Sequence, residues 1–217
     1  MWPTAFLICA LSGLLAGCNT STETSTLALP FYNTPDFTPV FLENSSEIEV
    51  KVPHRIRKFS FVNQNNETIS EKAIEGKIHI ANFFFTSCPS ICPKMTNQMK
   101  KIQDSYRNNK DVVLLSYSVT PWIDTPERLK EYAQHKGVIS GKWHLLTGAK
   151  GEIYDLARKS YFAEENIGYT KDSTQFLHTE HFLLVDKSKH IRGIYNGTLE
   201  LEIQQLIKDI EILSTEK

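Results

Sequence analysis

The stretch that decides the fold is Phe83-Phe84-Phe85-Thr86-Ser87-Cys88-Pro89-Ser90-Ile91-Cys92-Pro93. It overlaps the end of an apolar run, residues 78–85, which predicts a buried strand. Residues 94–102 carry apolar side chains at helical spacing and predict a helix, and Pro93 suits its first turn, where a missing N–H costs nothing. Both cysteines therefore lie at a strand-to-helix junction, where the positive end of the helix dipole favours thiolate over thiol.

The spacing of the two cysteines indicates a redox-active or metal-binding pair rather than a structural disulfide. Cys88 and Cys92 are four positions apart, so one helical turn would bring both sulfurs to the same side. The pair can close into a disulfide or, when reduced, offer two soft ligands to Cu(I), zinc or an iron–sulfur cluster. Two sulfurs rarely complete a metal site, which predicts a third ligand elsewhere in the chain. A purely structural disulfide is disfavoured because so short a loop constrains the unfolded chain little.

The composition is that of an ordinary soluble domain. The chain has 217 residues, of which 41% are hydrophobic, with 24 basic and 25 acidic side chains. This length is sufficient for one sizeable core, and the near-zero net charge gives no argument for nucleic-acid binding. Four cysteines are too few for a disulfide scaffold of this size. Haem attachment is excluded because the chain has no Cys-x-x-Cys-His motif.

The N-terminus has the features of a secretory signal. Residues 5–17 are apolar and rich in small side chains, and the run is short for a membrane span. It ends in Leu15-Ala16-Gly17-Cys18, which resembles a bacterial lipoprotein cleavage box, although no Lys or Arg precedes it. We expect residues 1–17 to be a lipoprotein signal peptide and Cys18 to be lipidated, which places the mature domain outside the cytoplasm.

The remaining chain divides into a tether and one domain. We expect residues 18–50 to form a flexible tether followed by an extended segment, 29–43, that lies as an edge strand on the domain. Residues 51–217 form the domain, which opens with a hairpin at 59–70. Strand–helix–strand units follow, then an antiparallel hairpin at 181–195 and a closing amphipathic helix. This order predicts an α/β, thioredoxin-like fold, a central mixed sheet flanked by helices with an N-terminal hairpin extension.

Three elements of the chain resemble the Sco (SenC/PrrC) family. Residues 84–93 are similar to its Cys-Pro-x-x-Cys-Pro signature after an aromatic strand. Asp124-Thr125-Pro126, which follows the strand end at 116–119, resembles its Asp-Thr-Pro loop. His178-Thr179, which precedes the strand 182–185, resembles its His-Ser/Thr element. The order and separations also agree, and the three elements together are more specific than the cysteine motif alone.

The resemblance implies a protein outside the cytoplasm that binds one copper ion per monomer. Carried over position by position, the ligands are Cys88, Cys92 and His178. Family members assist assembly of the copper site of cytochrome c oxidase, by delivering copper, by reducing the acceptor's cysteines, or both. The expected partner is therefore the oxidase subunit that holds this site, or another extracytoplasmic copper protein. We expect a monomer, held at the membrane by a lipid anchor.

Two positions depart from the family's pattern, and two histidines have to be weighed as possible ligands. Thr120 stands before Pro121, where the family usually has Asp, and Lys94 stands where a carboxylate often follows the cysteine motif. A lysine there should favour the thiolate. On chemistry alone, a lone His178 at the end of a polar loop would be a surface or hydrogen-bonding residue, and the need for a third ligand together with the family resemblance reverses that view. His181 lies three residues further along a strand and is expected on the opposite face.

Other polar and sulfur-containing side chains receive structural roles. Asp124 is expected to cap the following helix, although Thr125 could also do so, and Asp186 is expected to form a turn. Met95 and Met99 are expected in the core. The other histidines expected to be ordinary residues are His54, His79, His135, His144 and His190.

The alternative function is that of a thiol–disulfide oxidoreductase acting on extracytoplasmic proteins. It would use Cys88 and Cys92 as a redox-active disulfide and would not need His178. Thioredoxins themselves carry Cys-x-x-Cys and a proline before a later strand, and this chain has no proline after Pro126. A peroxidase is disfavoured because Phe85 stands where its nucleophilic cysteine has a Thr or Ser. Zinc binding and a sensor role are weaker alternatives.

Overall fold

The computed structural model describes residues 29–43, 45–163 and 179–216. The strands of these residues are β1 (Phe31–Tyr32), β2 (Pro39–Val40), β3 (Ser60–Asn63), β4 (Thr68–Ser70), β5 (Ile78–Phe84), β6 (Val112–Ser118), β7 (Trp143–Thr147), β8 (His181–Val185) and β9 (Ile191–Asn196). The helices are α1 (Ile48–Lys51), α2 (Cys92–Ser105), α3 (Pro126–Lys136), α4 (Lys150–Lys159) and α5 (Glu200–Thr215).

The strands form one mixed sheet in the order β2-β1-β9-β8-β5-β6-β7-β3-β4. Its centre, β5-β6-β7, is parallel, and the connections between these strands carry α2 and α3. Every residue of β5 and β6 is buried, as expected for strands covered on both faces, and this is why their sequences are apolar runs. The outer pairs are antiparallel, including the predicted hairpin β3–β4. The expected mixed sheet with flanking helices is thereby confirmed.

The sheet separates two hydrophobic clusters. The first, here called the tyrosine face, includes Tyr117, Tyr161 and Leu183. The second, here called the cysteine face, includes both cysteines and Phe182 together with side chains of α2, α3 and α5. Met95 and Met99 are fully buried on this face, which confirms that they are core residues. Because successive residues of a strand point to opposite faces, β8 divides its side chains between the two clusters.

The N-terminal segment lies on the sheet as predicted. β1 pairs with β9 through Tyr32 and Ile191, and β2 is the outermost strand on that side. After this segment the chain forms the short helix α1, which leads into the domain. The predicted signal peptide and the first part of the tether, residues 1–28, lie outside the described residues. No helix in the part of the chain that the structure describes is long and apolar enough to cross a membrane.

Two predictions about loops have different outcomes. Asp186 forms the β8–β9 turn as expected, since its side chain accepts hydrogen bonds from the backbone N–H groups of Ser188 and His190, each at 2.9 Å. The polar loop predicted for residues 161–176, by contrast, begins in the core. Tyr161 is fully buried in the tyrosine face, and its hydroxyl is satisfied there, since it lies 3.1 Å from that of Tyr117 and 3.0 Å from His79 Nε2. Residues 164–176 of this loop lie outside the described residues.

His79 gives the fold a specific dependence on pH. Its complete burial lowers its pKa from 6.5 to about 3. The unfolded chain therefore takes up this proton near pH 6.5, whereas the folded chain does not until about pH 3. Since the unfolded state binds more protons in this window, the stability present above pH 6.5 is lost as the pH falls towards 3.

Between pH 7 and pH 5, we expect a His79→Phe protein to lose about 2 kcal/mol less unfolding free energy than the parent does, because it lacks the buried imidazole. Urea denaturation at both pH values measures this difference. His135→Gln removes an imidazole from the exposed side of α3 and is the matched control. A His79→Phe protein that loses as much stability as the parent would contradict the assignment.

Candidate functional site

The cysteines occupy the turn between β5 and α2. The Cys88 N–H donates to the carbonyl of Phe85 at 3.3 Å, and α2 begins at Cys92, with Pro93 in its first turn. The pair is therefore joined by the turn that precedes the helix, not by a helical turn as the spacing predicted. Both cysteines are reduced, and they are 6% and 4% exposed. The Cys92 thiol donates a hydrogen bond to the Cys88 sulfur.

Cys88 is the sulfur that the site stabilises as a thiolate. Burial acts against its ionisation, but the backbone N–H groups of Cys92, Ser90 and Ile91 and the thiol of Cys92 donate hydrogen bonds to it. Together these hydrogen bonds outweigh the effect of burial, and the pKa of Cys88 is lowered below its ordinary value. The stabilising groups belong to the loop and the first turn of α2, which agrees with the expected effect of a helix start. Lys94 is exposed on α2, and the backbone donors account for the shift without it.

Cys92 has the opposite environment. Burial raises the pKa of its thiol to about 12, and the nearby charges of Cys88 and Asp124 act in the same direction. A hydrogen bond from the backbone of Phe85 opposes this shift only in part. The pair therefore consists of one sulfur poised to ionise and one that holds its proton, although the two residues are four positions apart in one loop.

Asp124 lies in the loop between β6 and α3 and connects it to the loop that carries the cysteines. The carboxylate is fully buried and accepts hydrogen bonds from Thr86 N at 3.2 Å and Thr86 Oγ1 at 2.5 Å. It also accepts from Ser118 Oγ at 2.5 Å and from Thr120 Oγ1 at 3.0 Å. The expectation that Asp124 caps α3 is wrong. Thr125 takes that role, because its Oγ1 accepts the hydrogen bond from the Arg128 N–H at 3.4 Å.

Arg128 compensates the buried charge. Its Nε donates to Thr86 Oγ1 at 2.6 Å and lies 3.6 Å from Asp124 Oδ1. Thr120, which stands where the family usually has Asp, is itself buried and donates to the Asp124 carboxylate. A second carboxylate at position 120 would meet a charge already present, whereas the hydroxyl supplies a donor. The loop that carries Cys88 is thus fixed through Thr86, two residues before the cysteine.

A tyrosine that the sequence did not single out forms part of the wall of the site. Tyr132 of α3 packs its ring against Phe84, with ring centroids 5.7 Å apart, and its hydroxyl lies 2.7 Å from Thr96 Oγ1. Burial raises the pKa of Tyr132, and the charges of Cys92, Asp124 and Cys88 add to the shift. No motif indicated Tyr132, because its only relation to the cysteines is its place on the neighbouring helix.

The predicted third ligand, His178, lies outside the described residues. The strand that follows it, β8, pairs antiparallel with β5 from Val185 and His79 to Leu183 and Ala81. The N-terminal end of β8 therefore lies at the end of the sheet where β5 leads into the cysteine loop. His181 is half-buried, and its ring contacts Phe37, which packs on the tyrosine face. It lies on the face opposite the cysteines.

The described residues alone do not complete a metal site. They contain no group of three or more His, Cys, Asp or Glu side chains that could hold a metal ion. The donor set that they do provide is two adjacent sulfurs, one of which favours ionisation. Such a pair suits a soft cation with few ligands, and it also suits thiol–disulfide exchange.

Comparisons with known proteins point to one family. The SCO1/SenC family model matches residues 49–214. A SCO1/SenC family lipoprotein from Bacillus anthracis is 29% identical with a TM-score of 0.64, over 74% of this chain and 95% of that one. BsSco, described as a member of the Sco family of cytochrome c oxidase assembly proteins with a disulfide switch, is 32% identical with a TM-score of 0.63, over 76% and 95%. Arabidopsis thaliana ScoI with copper bound is 26% identical with a TM-score of 0.56, over 72% and 98%.

The difference between the two sulfurs predicts selective alkylation. In reduced, metal-free protein at pH 7, iodoacetamide should modify Cys88 at least about tenfold faster than Cys92, because the thiolate is the reactive form. Peptide mass spectrometry at early times identifies the modified residue. Cys92→Ser keeps a hydroxyl donor beside Cys88 and should retain its fast reaction, whereas prior modification of Cys92 in the parent would refute the assignment.

Because the Asp124 carboxylate is buried, we expect even a conservative substitution there to lower the stability of the fold. Asp124→Asn replaces one accepting oxygen by an NH₂ group, so at least one buried donor loses its acceptor, and we expect a loss of about 1–3 kcal/mol in unfolding free energy. Asp104→Asn makes the same change at an exposed ion pair with Lys100 and should cost less than about 1 kcal/mol. Urea denaturation measures both. Equal losses of unfolding free energy in the two variants would show that the hydrogen bonds of Asp124 do not hold the two loops together.

Proposed function

The chain belongs to the SCO1/SenC family, and on that premise we propose that it binds one copper ion as cargo and assists assembly of the copper site of cytochrome c oxidase. The observation that carries the proposal is the buried, hydrogen-bonded pair of Cys88 and Cys92 at the start of α2. Two soft donors in one loop fit Cu(I). The copper-bound Arabidopsis relative supports the choice of metal, and the description of BsSco supports the choice of pathway.

We propose His178 as the third ligand. It directly precedes Thr179, and neighbouring Cα atoms are about 3.8 Å apart, so it is tied to the end of the sheet where the cysteine loop begins. Phe182, four residues further along the chain, packs on the cysteine face. His181 is an odd number of residues from Phe182 and lies on the other face. These relations favour His178 over His181.

The two sulfurs would act in order. Cys88, whose ionised form is stabilised by backbone N–H groups, would meet the incoming cation first. Cys92 must lose its proton for both sulfurs to bind as thiolates, and burial makes that loss unfavourable without a cation. Copper uptake and release are then coupled to a proton on Cys92. This coupling offers a way to release the cargo when an acceptor site binds it more strongly.

The cellular setting completes the proposal. Residues 1–17 are removed as a signal peptide, Cys18 carries the lipid, residues 18–50 provide the tether and extended segment, and 51–217 form the copper-binding domain. The protein works as a monomer on the outer side of a bacterial membrane. The Leu-Ala-Gly-Cys box and the likeness to a family lipoprotein from Bacillus anthracis support this placement. The acceptor is the copper-site subunit of the oxidase or another extracytoplasmic copper protein.

The difference between the sulfurs favours a second candidate function, reduction of disulfides in acceptor proteins. The Cys88 thiolate would attack one sulfur of the acceptor disulfide, form a mixed disulfide and release the other sulfur as a thiolate. Cys92, after losing its proton, would attack Cys88 and release the second acceptor thiolate. Two electrons pass to the acceptor, and a Cys88–Cys92 disulfide remains. This reaction does not use His178.

The deciding experiment is an anaerobic Cu(I) titration of the reduced protein beside two variants. We expect one copper per chain in the parent, a loss of affinity of at least about tenfold in His178→Ala, and little change in the matched control His181→Ala. X-ray absorption should show two sulfur ligands and one nitrogen ligand in the parent and in the control. The nitrogen ligand should be absent from His178→Ala.

The same variants separate the two functions. A His178→Ala protein with full affinity for copper would overturn the proposed ligand set. Failure of the parent to bind copper, together with rapid reduction of a disulfide substrate, would leave only the oxidoreductase function. A loss of reductase activity in His178→Ala would count against a mechanism that uses the two cysteines alone.

A further inference from the structure

Three loops meet at the end of the sheet where the cysteines lie. β5, β6 and β7 are neighbouring parallel strands, so their carboxyl ends lie at one edge of the sheet. The cysteine loop follows β5, residues 119–125 follow β6, and residues 148–149 lead from β7 into α4. Because neighbouring strands are about 4.8 Å apart, the first and third loops leave the sheet only about 10 Å from each other. All three loops therefore belong to one surface of the protein.

The loop after β6 presents an apolar pair to solvent. Trp122 is 57% exposed, and its neighbour Ile123 is 39% exposed. The pair directly precedes Asp124, whose carboxylate accepts hydrogen bonds from the N–H and the hydroxyl of Thr86, two residues before Cys88. Exposed apolar side chains that adjoin one another, unlike isolated ones, mark surfaces that bind a partner. The apolar pair is thus connected to the cysteine loop through described hydrogen bonds.

The apolar pair is held on an ordered loop. The N–H groups of Ile123 and Asp124 donate to the carbonyl of Thr120, at 2.8 Å and 2.9 Å. The ammonium of Lys150 lies over the ring of Trp122, 5.1 Å from its centroid. A surface that is already ordered loses little conformational freedom when a partner binds. Tryptophan is also enriched among the residues that contribute most of the binding energy of protein interfaces.

The chemistry of the cysteines requires a partner at this surface. Cys88 and Cys92 are 6% and 4% exposed, so an acceptor's ligand or sulfur reaches them only if the acceptor lies against the surrounding loops. Both candidate functions need this approach, since copper transfer brings an acceptor ligand to the bound ion and reduction forms a mixed disulfide. A standard interface covers about 800 Å² on each partner and is therefore about 30 Å across. An acceptor docked on the cysteines would cover the apolar pair as well.

We propose that Trp122 and Ile123 anchor the acceptor protein on the cysteine site. The acceptor is a protein that presents its own copper ligands or cysteines within an apolar surface complementary to the pair. A second copy of this chain or a membrane on the same surface would cover the cysteines and exclude the acceptor. The apolar pair contacts the acceptor and not the copper, so it sets the affinity of the complex and not the affinity for the metal. The inference rests on the proposed function, which supplies the acceptor.

The test is Cu(I) transfer from the loaded full-length protein to the metal-free, reduced copper-site domain of the oxidase subunit. The transfer rate is measured over a range of acceptor concentrations, and copper is quantified after rapid separation of the two proteins. We expect Trp122→Ala to raise the half-saturating acceptor concentration at least about tenfold, the effect of losing an interface hot spot. The maximal rate should stay within about twofold of the parent's. Competition with a Cu(I) chelator should show an unchanged affinity for copper.

Three further variants complete the test. Leu201→Ala removes an apolar side chain that is 77% exposed on α5, and it should transfer copper like the parent. Trp122→Phe keeps an aromatic ring and should lose less than Trp122→Ala does. Ile123→Ala changes the second member of the pair and should also raise the half-saturating concentration, by a smaller factor. Circular dichroism confirms that each variant is folded, and either alanine variant of the pair suffices if the other does not fold.

The outcomes separate this inference from the proposed function. Parent-like half-saturation in both alanine variants of the pair, beside a parent that transfers copper, would overturn the docking role alone. A copper affinity that falls as much as the transfer does would place the effect at the metal site and also overturn it. A parent that passes no copper to the acceptor would refute the proposed function, and this inference with it.

Two measurements test the other possible occupants of this surface. Sedimentation of the parent as a dimer that Trp122→Ala dissociates would assign the apolar pair to a second copy of the chain. Trp122 is the exposed tryptophan of the described residues, since Trp143 is 1% exposed. Quenching of its fluorescence in vesicles of brominated phosphatidylcholine would assign the pair to the membrane. Either result would overturn the proposal, whereas a monomer with unquenched Trp122 supports it.

Discussion

The constraint on which the site depends is a charge buried between two loops. Asp124 has no exposed surface, yet it accepts four hydrogen bonds, two of them from Thr86 in the cysteine loop. A buried carboxylate is tolerated only where donors surround it, so the loops that supply those donors are held in one arrangement. Arg128 supplies the opposite charge from α3. The position of Cys88, two residues from Thr86, is thus set by these hydrogen bonds as well as by apolar packing on the cysteine face.

The buried carboxylate has an electrostatic consequence as well as a geometric one. Burial raises the pKa of Cys92 and the Asp124 carboxylate adds to this shift, while the backbone donors of the same loop lower the pKa of Cys88. Two chemically identical side chains thereby become different reagents. In the proposed copper-binding function, the difference would set the order in which the two sulfurs bind. For disulfide exchange, it separates an attacking sulfur from a resolving one, so the same geometry serves both candidate functions.

Much of the fold was accessible from local patterns. The buried strands β5 and β6, the helix after the cysteines and the C-terminal helix each have a periodicity that local sequence expresses directly. The cysteine pair was accessible for the same reason, since spacing and flanking prolines are local. Asp124 was assigned incorrectly because its neighbour Thr125 and the proline after it are typical of a helix start. Its hydrogen-bond donors, such as Thr86 and Ser118, come within reach only in the folded protein, where the two loops meet.

The sequence by itself determined which side chains could do chemistry here, because side-chain type and spacing are properties of the chain: two soft sulfurs, a downstream imidazole and the topology that carries them. Only the tertiary structure decided how they differ. The ionisation of Cys88 and Cys92 depends on their burial in the folded protein and on the direction in which the folded loop holds its backbone donors. The ring of Phe37 contacts Phe162 and His181, which lie more than a hundred positions further along the chain. Such contacts follow from packing across the sheet, and no local pattern records them.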